Sequence, residues 1–376
     1  MKTTVGVGLL GCGTVGSNVA DRLQRERDMI ERRSGVRYEL RAIAIQDSFK
    51  SRSSALERRL FTRDARSVVD DPLVDLVIEV IGGTTDAAEL VERALERGRH
   101  VVTANKDLLG EHGPRLQALA ASRRAALRFE GAVGGAIPVV RTLGEALAGD
   151  EILSVAGVVN GTCATVLCAM EEGAGFDESL ARAQRLGYAE ADPSNDIEGL
   201  DSAHKLAVVA QLAFGLAVIS PRIARTGISA VTQRDVARAR MLGFRIRHVA
   251  AVLRTPDGVL AEVAPVLVPQ SHEFARTAEA ENVVQIAARD AGRLVLRGTG
   301  AGGAATGSAV LGDIISVLQA LGQNRAFDLR GRWNSLETAS RIEPFFDRLS
   351  RTVELPNYAI WDDALTSVTM RALVNA

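Results

Sequence analysis

The stretch that decides the fold is Gly11-Cys12-Gly13-Thr14-Val15-Gly16, which directly follows the apolar run at residues 5–10. After it, Val19, Leu23 and Ile30 recur on one helical stripe, so the order is strand, glycine turn and helix. In this pattern Gly11 permits a tight turn, Gly13 lets backbone approach a pyrophosphate, and Gly16 allows close helix packing. Thr14 and Val15 open the helix, whose N-terminus favours anions. The stretch therefore predicts a dinucleotide-binding site.

Strand and helix patterns continue to alternate after this turn. Alternation of this kind is typical of a parallel sheet with helices on both faces. The sequence therefore predicts an α/β fold with a Rossmann-type doubly wound parallel sheet. The predicted strands are residues 38–45, 76–81, 100–103 and 127–129, and the predicted helices between them are residues 86–97 and 108–121.

The residues after the second predicted strand bear on which dinucleotide binds. Asp47 closes that strand, where an acid binds the ribose 2′-hydroxyl and favours NAD. Ser48, Lys50 and Arg52 follow at once and could equally hold a 2′-phosphate. At this point NAD and NADP both remain open.

Lysine is scarce in this chain. Among 45 basic residues only Lys2, Lys50, Lys106 and Lys205 are lysines. Lys205 lies four residues after Asp201 in a predicted helix at residues 201–214, so both side chains share a face. An ammonium can lose a proton whereas a guanidinium effectively never does, so the pattern indicates proton transfer. The alternative is a surface ion pair, worth a few tenths of a kcal/mol.

Composition indicates small-molecule chemistry. A net charge of -1 and a pI near 6.6 argue against a nucleic-acid or membrane-surface partner. Cys12, Cys163 and Cys168 are too few, and odd in number, for a disulfide framework. No stretch reaches the roughly 18 uninterrupted apolar residues of a membrane span, and the start of the chain runs directly into a strand. We therefore expect a cytoplasmic protein.

The chain resembles the homoserine dehydrogenases over about residues 4–325. Landmarks of that family occur here in family order, and an ordered set of this length is hard to produce by chance. They are Gly11 to Gly16, Ile81-Gly82-Gly83-Thr84, Thr103-Ala104-Asn105-Lys106, Glu130 to Pro138, Asn160-Gly161-Thr162, Gly187 to Leu206, and Gly300-Ala301-Gly302-Gly303.

The resemblance implies roles for the two lysines. Lys205 would transfer the proton to or from the substrate oxygen, and Asp201 and Asp196 would orient it. Lys106 would hold substrate or take part in proton transfer. It follows a predicted strand, at the carboxyl edge of the sheet where ligands collect.

The resemblance also implies a substrate site. Glu190 matches the carboxylate that receives the substrate amino group, and an anion is the natural partner of an ammonium. Asn160, Gly161 and Thr162 would present backbone N–H groups and a hydroxyl to the substrate carboxylate. The alternatives are a surface acid for Glu190 and an ordinary helix cap for the other three.

Further cofactor and cation positions follow from the same resemblance. Gly82, Thr103, Asn105, Lys106 and Gly302 would contact the dinucleotide. Four more residues would coordinate a monovalent cation, Na⁺ or K⁺, through one carboxylate and backbone carbonyls, with a purely structural hinge as the alternative. The cation ligands would be Glu130, Val133, Gly135 and Ile137.

The domain prediction has three parts. Residues 1–137, completed by about 301–325, form the dinucleotide-binding domain, and residues 138–300 form an α+β substrate domain. Residues 326–376 form a C-terminal extension, too short for the regulatory ACT domain that ends many bacterial relatives. Its aromatic residues, which include Trp333 and Trp361, indicate a packed extension or a subunit contact, and we expect a homodimer.

Three functions remain open at this stage. The leading one is NAD(P)-dependent interconversion of L-homoserine and L-aspartate 4-semialdehyde. The second is reduction of another small acidic aldehyde or oxo acid, for example phosphonopyruvate, because Cys163-Ala164-Thr165 departs from the family pattern beside the expected substrate wall. The third is a catalytically silent nucleotide sensor.

Overall fold

The computed structural model describes residues 4–47, 56–255, 258–323, 337–338, 341–346, 351–352 and 354–361. The strands are β1 Thr4–Leu10, β2 Arg37–Ala44, β3 Phe61–Thr62, β4 Leu76–Glu79, β5 His100–Thr103, β6 Leu127–Arg128, β7 Ile152–Val158, β8 Leu216–Ala217, β9 Ala224–Arg225, β10 Phe244–Thr255, β11 Gly258–Pro269, β12 Glu281–Ala288, β13 Gly292–Thr299, β14 Glu337–Thr338, β15 Arg341–Glu343, β16 Arg351–Thr352 and β17 Leu355–Ala359.

The helices are α1 Thr14–Arg25, α2 Arg27–Ser34, α3 Ala65–Asp70, α4 Thr85–Glu96, α5 Lys106–Arg123, α6 Val139–Arg141, α7 Gly161–Glu171, α8 Phe176–Arg185, α9 Ser194–Ile197, α10 Leu200–Phe214, α11 Gln233–Met241 and α12 Gly303–Gly322. The chain divides into two compact units. The first unit is Met1–Arg141 with Ala301–Leu336, and the second is Thr142–Gly300 with Glu337–Ala376.

The first unit is built on a six-stranded parallel sheet in the order β3-β2-β1-β4-β5-β6. The order reverses between β1 and β4, and in doubly wound folds a dinucleotide binds at that crevice. The interior is apolar, since β1, β2 and β4 pack with α1 and α12 in one core. The predicted Rossmann-type α/β fold is confirmed.

Helix α12 returns the chain to the first unit after the second unit is complete. Small residues allow it to lie close to α1, because a Cβ at Gly303 would come 2.7 Å from the Thr14 carbonyl oxygen. Within the described residues α12 alone is long and apolar enough to cross a membrane, with 44% of that window buried. It also carries Asp313, which is buried and paired with Arg141 at 3.0 Å. A helix at the core of a globular unit has these same properties, so length and composition do not identify a span here.

The second unit is built on a seven-stranded mixed sheet, and the predicted α+β class is confirmed. Its main order is β13-β12-β7-β10-β11-β15, and β9 also pairs with β11. Strands β10 and β11 form the long central hairpin. Asn160 caps helix α7, and its side chain accepts a hydrogen bond from Cys163 N. Helix α10 is flanked by Gly199 and Gly215, both at positive φ, and is buried from Asp201 to Phe214.

The described part of the C-terminal segment packs on the second unit. Strand β15 pairs with β11, and Trp361 N donates to Leu267 O at 2.7 Å. Phe345 and Trp361 are buried in the same core as Phe274. Trp333, which belonged to the predicted aromatic extension, lies outside the described residues.

Buried His248 makes the stability of the second unit depend on pH. It lies on β10 against Gly199, and its Nε2 donates to Thr226 O at 3.1 Å. Burial lowers the pKa of His248 from 6.5 to about 4, although Asp201 and Glu198 partly oppose the shift. Between these pH values the unfolded chain binds a proton that the folded chain does not.

The free energy of unfolding is therefore expected to fall as the pH drops from 6.5 to 4. The His248 contribution to that fall is about 3 kcal/mol, from about 1.4 kcal/mol per pKa unit. Denaturant titrations of the wild type and of His248→Gln across this range measure it. The glutamine amide still donates to Thr226 O, so that variant is expected to lose this part of the slope. Equal slopes in both proteins would contradict the assignment.

Candidate active site

The glycine turn of the first unit has open space beside Gly13 but not beside Gly11 or Gly16. A Cβ at Gly11, whose φ is +98°, would come 2.8 Å from Val80 O, and a Cβ at Gly16 would come 2.2 Å from Gly11 O. A Cβ at Gly13 would meet no atom within 4 Å. No side chain in the described part of the chain caps the N-terminus of α1, so its first-turn N–H groups are available to an anion. The turn therefore fits the pyrophosphate of a dinucleotide.

The neighbouring positions that were predicted to contact the dinucleotide are also in the first unit. Asp47 is exposed after β2. The residues proposed to hold a 2′-phosphate, Ser48, Lys50 and Arg52, lie outside the described residues. Gly302, with φ +109°, precedes α12 and has open space beside its Cα.

The loops after β4 and β5 are joined by a carboxylate that the sequence analysis did not select. Glu79 is fully buried, and its oxygens accept hydrogen bonds from Gly82 N at 3.2 Å and Thr103 Oγ1 at 2.5 Å. Asn105 Nδ2 donates to Gly83 O at 2.7 Å. Three of the predicted cofactor positions, Gly82, Thr103 and Asn105, thus belong to one bonded cluster. The sequence feature that could have identified Glu79 is its position as an acid at the end of an otherwise apolar strand.

Lys106 is the first residue of α5. Asn105 caps this helix by accepting a hydrogen bond from Leu108 N at 3.1 Å. The Lys106 side chain is one-third exposed, and its Nζ lies 3.8 Å from Asp107 Oδ1. The residue therefore stands at the carboxyl edge of the first unit's sheet, as the position after β5 predicts.

Lys205 is held inside the second unit. Its Nζ donates to Val159 O at 2.6 Å and to Asp201 Oδ2 at 2.7 Å. The Lys205 and Asp201 side chains are 11% and 8% exposed, so this is not a surface ion pair. Asn282 Nδ2 also donates to Val159 O, at 3.2 Å, and sequence reasoning missed this buried amide.

Asn160 links the acids around Lys205. Its Nδ2 donates to Asp196 Oδ1 at 2.7 Å and to Asp201 Oδ2 at 2.8 Å, while its Oδ1 caps α7. Thr162 Oγ1 lies 2.9 Å from Asp196 Oδ2 and 2.7 Å from Tyr188 O. The Asn160 and Thr162 side chains therefore bond within the cluster.

Cys163 does not line a substrate wall. Its side chain is fully buried in an apolar core with Val166 and Leu167, and its Sγ lies 3.2 Å from Asp196 O. Burial, with the nearby Asp196 and Asp201 charges, raises the pKa of the Cys163 thiol well above its usual value. The departure from the family pattern at Cys163, which suggested a remodelled pocket, thus concerns the packing of the core.

Glu190 lies in the loop between α8 and α9. It is exposed, and Gln184 Nε2 donates to its backbone oxygen at 3.0 Å. No described residue hydrogen-bonds its carboxylate. A carboxylate in this state can bind an ammonium group without first losing a protein partner.

The segment predicted to bind a cation is buried in the first unit. Glu130 accepts hydrogen bonds from Val140 N at 3.0 Å and Arg141 N at 2.9 Å, and burial with the nearby Asp313 charge raises the pKa of Glu130 to about 7. The Ile137 carbonyl accepts from Val139 N at 2.8 Å. Val133 is buried, and Gly135 has φ +59°. Among the described residues, no group of three or more His, Cys, Asp or Glu side chains could hold a metal ion.

Two family models match the chain. The model for homoserine dehydrogenase matches residues 138–315, and the model for the homoserine dehydrogenase NAD binding domain matches residues 11–130. The homoserine dehydrogenase of Corynebacterium glutamicum is 42% identical over 319 residues, which are 83% of this chain and 72% of that protein. The Bacillus subtilis homoserine dehydrogenase is 37% identical over 314 residues, again 83% of this chain and 72% of the relative.

Solved structures give the same result. A homoserine dehydrogenase from Thiobacillus denitrificans superposes with a TM-score of 0.85 at 37% identity, covering 92% of this chain and 80% of that one. A hyperthermophilic archaeal homoserine dehydrogenase in complex with NADPH gives a TM-score of 0.69 at 25% identity, covering 84% and 97%.

The matched regions contain both the glycine turn and the buried Lys205 cluster. The family resemblance predicted from the sequence is confirmed. The chain belongs to the homoserine dehydrogenase family and is an NAD(P)-dependent oxidoreductase acting on a CH–OH group.

Proposed function

We propose that this protein interconverts L-homoserine and L-aspartate 4-semialdehyde, with Lys205 as the residue that transfers the proton. The observation that carries the proposal is the buried Lys205 ammonium, which is bonded to Val159 O and Asp201, and Asp201 is linked through Asn160 to a second acid, Asp196. The dinucleotide supplies or accepts the hydride at C4 of its nicotinamide ring. The protein must then bind the substrate and handle one proton at the substrate oxygen.

Lys205 is suited to that step. Two of its three N–H groups are directed to Val159 O and Asp201 Oδ2, which leaves the third for the substrate oxygen. During reduction, the aldehyde carbon gains the hydride, the Nζ–H bond breaks, and the proton passes to the oxygen to give the hydroxyl. During oxidation Nζ takes that proton back. Asn160 and Asp196 fix Asp201 and thereby orient the lysine.

The rest of the substrate site is proposed from the remaining groups. Glu190 binds the substrate ammonium, and the backbone at Gly161, at the start of α7, binds its carboxylate. Lys106 contributes a second positive charge, which holds substrate or takes part in proton transfer. Asn160 and Thr162 act through the acids to which they are bonded.

The cofactor is NAD or NADP, and one relative is known as an NADPH complex. We propose that Asp47 contacts the adenosine ribose and that the turn at residues 11–16 holds the pyrophosphate. We also propose a homodimer in the cytoplasm, as expected from composition and from the family resemblance.

The first prediction concerns proton transfer. Lys205→Arg keeps the charge but cannot exchange a proton near neutral pH, so kcat is expected to fall about 100-fold to 10,000-fold, the usual worth of a general acid–base group. NAD(P)H affinity, measured by fluorescence titration, should stay unchanged because the glycine turn is intact. A kcat within tenfold of wild type would refute the role of Lys205.

The second prediction concerns the substrate ammonium. Glu190→Gln is expected to lower kcat/KM for homoserine by about 10-fold to 150-fold, from 1.5 to 3 kcal/mol for a hydrogen bond to a charged group. With 4-hydroxybutyrate, which lacks the amino group, the same variant should show no such loss. Asp192→Asn is the matched control, because this exposed neighbour bonds only to Ser194 among the described residues. Equal losses in both variants, or with both substrates, would reject Glu190 as the ammonium partner.

The third prediction concerns the proposed Na⁺ or K⁺ site at Glu130, Val133, Gly135 and Ile137. A cation bound only by the folded protein raises the melting temperature. The wild type is therefore expected to melt at a higher temperature in NaCl or KCl than in choline chloride of equal ionic strength. Glu130→Gln should lose this difference, since it removes the charged ligand. Identical melting in all three salts would favour the structural hinge instead.

A further inference from the structure

Glu79 is an ionisable side chain in an unusual place. It is the last residue of β4, beside the central strand β1, and it is fully buried. None of its hydrogen bonds in the described part of the chain comes from a cationic group. An isolated buried charge is costly, so such a carboxyl must be satisfied by many dipoles or be neutral.

The carboxyl joins two loops. Its Oε1 accepts from Ile81 N at 2.8 Å and Gly82 N at 3.2 Å, both in the loop after β4. Its Oε2 accepts from Thr103 Oγ1 at 2.5 Å, at the end of β5. Thr103 Oγ1 in turn accepts from Asn105 N at 3.0 Å, one residue before α5 and Lys106. A single side chain therefore sets the position of one loop relative to the other.

These bonds decide what the loop after β4 can offer to a ligand. Because peptides are planar and trans, N–H groups that point toward Glu79 turn the Val80 and Ile81 carbonyls away from it. Gly82 and Gly83 then follow at φ +85° and +73°, where glycine is favoured. Two donors of the loop, Ile81 N and Gly82 N, are thus used internally and are not available to a phosphate.

We infer that Glu79 is a positioning residue of the dinucleotide site, which holds residues 80–83 and 103–106 as one preformed surface without touching the ligand. The inference rests on the proposed use of these loops by NAD(P). Preorganisation of this kind lowers the ordering cost of binding. It acts through the shape of the carboxyl group, and its charge is not required.

The hydrogen bonds and the burial of the cluster support a role of Glu79 that depends on the shape of its side chain. Burial raises the pKa of Glu79 against the opposing hydrogen bonds of Thr103, Ile81 and Gly82, which favours the neutral form. In Glu79→Gln the amide oxygen can still accept from Ile81 N and Gly82 N. The amide nitrogen can donate to Thr103 Oγ1, which has a second lone pair beside the one used by Asn105 N. In Glu79→Asp the carboxyl group stays, but the side chain is one methylene too short for both loops.

The experiment compares these two variants in the full-length protein by NAD(P)H fluorescence titration and steady-state kinetics. Glu79→Gln is expected to bind NAD(P)H within about threefold of wild type, and Glu79→Asp about tenfold or more weakly, because buried donors lose their acceptor. The KM for the dinucleotide should follow the binding constants. In Glu79→Gln the kcat and the KM for homoserine at saturating dinucleotide should remain within about threefold of wild type, since both loops keep their bonds and the Lys205 cluster is unchanged.

Asp75→Leu is the matched control for general destabilisation. Asp75 directly precedes the same strand and accepts a hydrogen bond from Gly6 N at 2.8 Å, at the opposite edge of the sheet. The melting temperature of the Asp75→Leu variant is expected to fall as in Glu79→Asp, while its NAD(P)H affinity stays at the wild-type value. An equal loss of affinity in Asp75→Leu would mean that any weakening of β4 suffices, which overturns the inference.

Gly13→Val separates the inference from the proposed dinucleotide site. A valine side chain would enter the open space beside Gly13, so affinity should be severely reduced. Normal binding by Gly13→Val would refute the site itself. Weak binding by Gly13→Val together with wild-type binding by Glu79→Asp would overturn the Glu79 inference alone. Weak NAD(P)H binding by Glu79→Gln would also overturn the Glu79 inference, because the charge of the side chain would then matter more than its shape.

Discussion

Around Lys205, the structure of the second unit depends on the burial of one ammonium group. At a surface, an i,i+4 pair such as Asp201 and Lys205 contributes a few tenths of a kcal/mol. Inside a protein, both charges lose water, and the pair is tolerated only with good geometry and further hydrogen bonds. Val159 O supplies one such bond to the lysine, and Asn160 Nδ2 supplies one to the aspartate. The burial of Lys205 therefore explains why so many polar groups converge there.

This requirement links elements that are distant in sequence. Val159 follows the end of β7, Asn160 is the cap of α7, and Asp201 lies in the first turn of α10. The amide of Asn160 is used twice over, since its oxygen caps α7 while its nitrogen bridges Asp196 and Asp201. Loss of that one side chain would leave the N-terminus of α7 uncapped and would remove one hydrogen bond from each of the two carboxylates. A turn that reads locally as a helix cap is thus also a support for the proposed catalytic lysine.

Much of the fold follows from local patterns. The apolar run, the glycine turn and the helical stripe predicted β1 and α1, although α1 ends at Arg25 and Ile30 of that stripe lies in α2. Strand β5 was predicted at its observed bounds, residues 100–103. Spacing alone placed Asp201 and Lys205 on one helix face. Other relations span too many residues for a local pattern to show. Asn160 meets Asp196 and Asp201 across 36 and 41 positions, and Cys163 proves to be a core residue only when helix packing is known.

The first unit also buries acids, and backbone N–H groups are among their hydrogen-bond donors. Glu79 takes the N–H groups of Ile81 and Gly82, and Glu130 takes those of Val140 and Arg141. Each of these donors is thereby removed from the set that could bind an anionic ligand. The first turn of α1 has no side-chain cap, so its N–H groups keep that capacity. Glu79 and Glu130 thus take up backbone donors of this unit, whereas the N–H groups in the first turn of α1 stay available to the negative pyrophosphate.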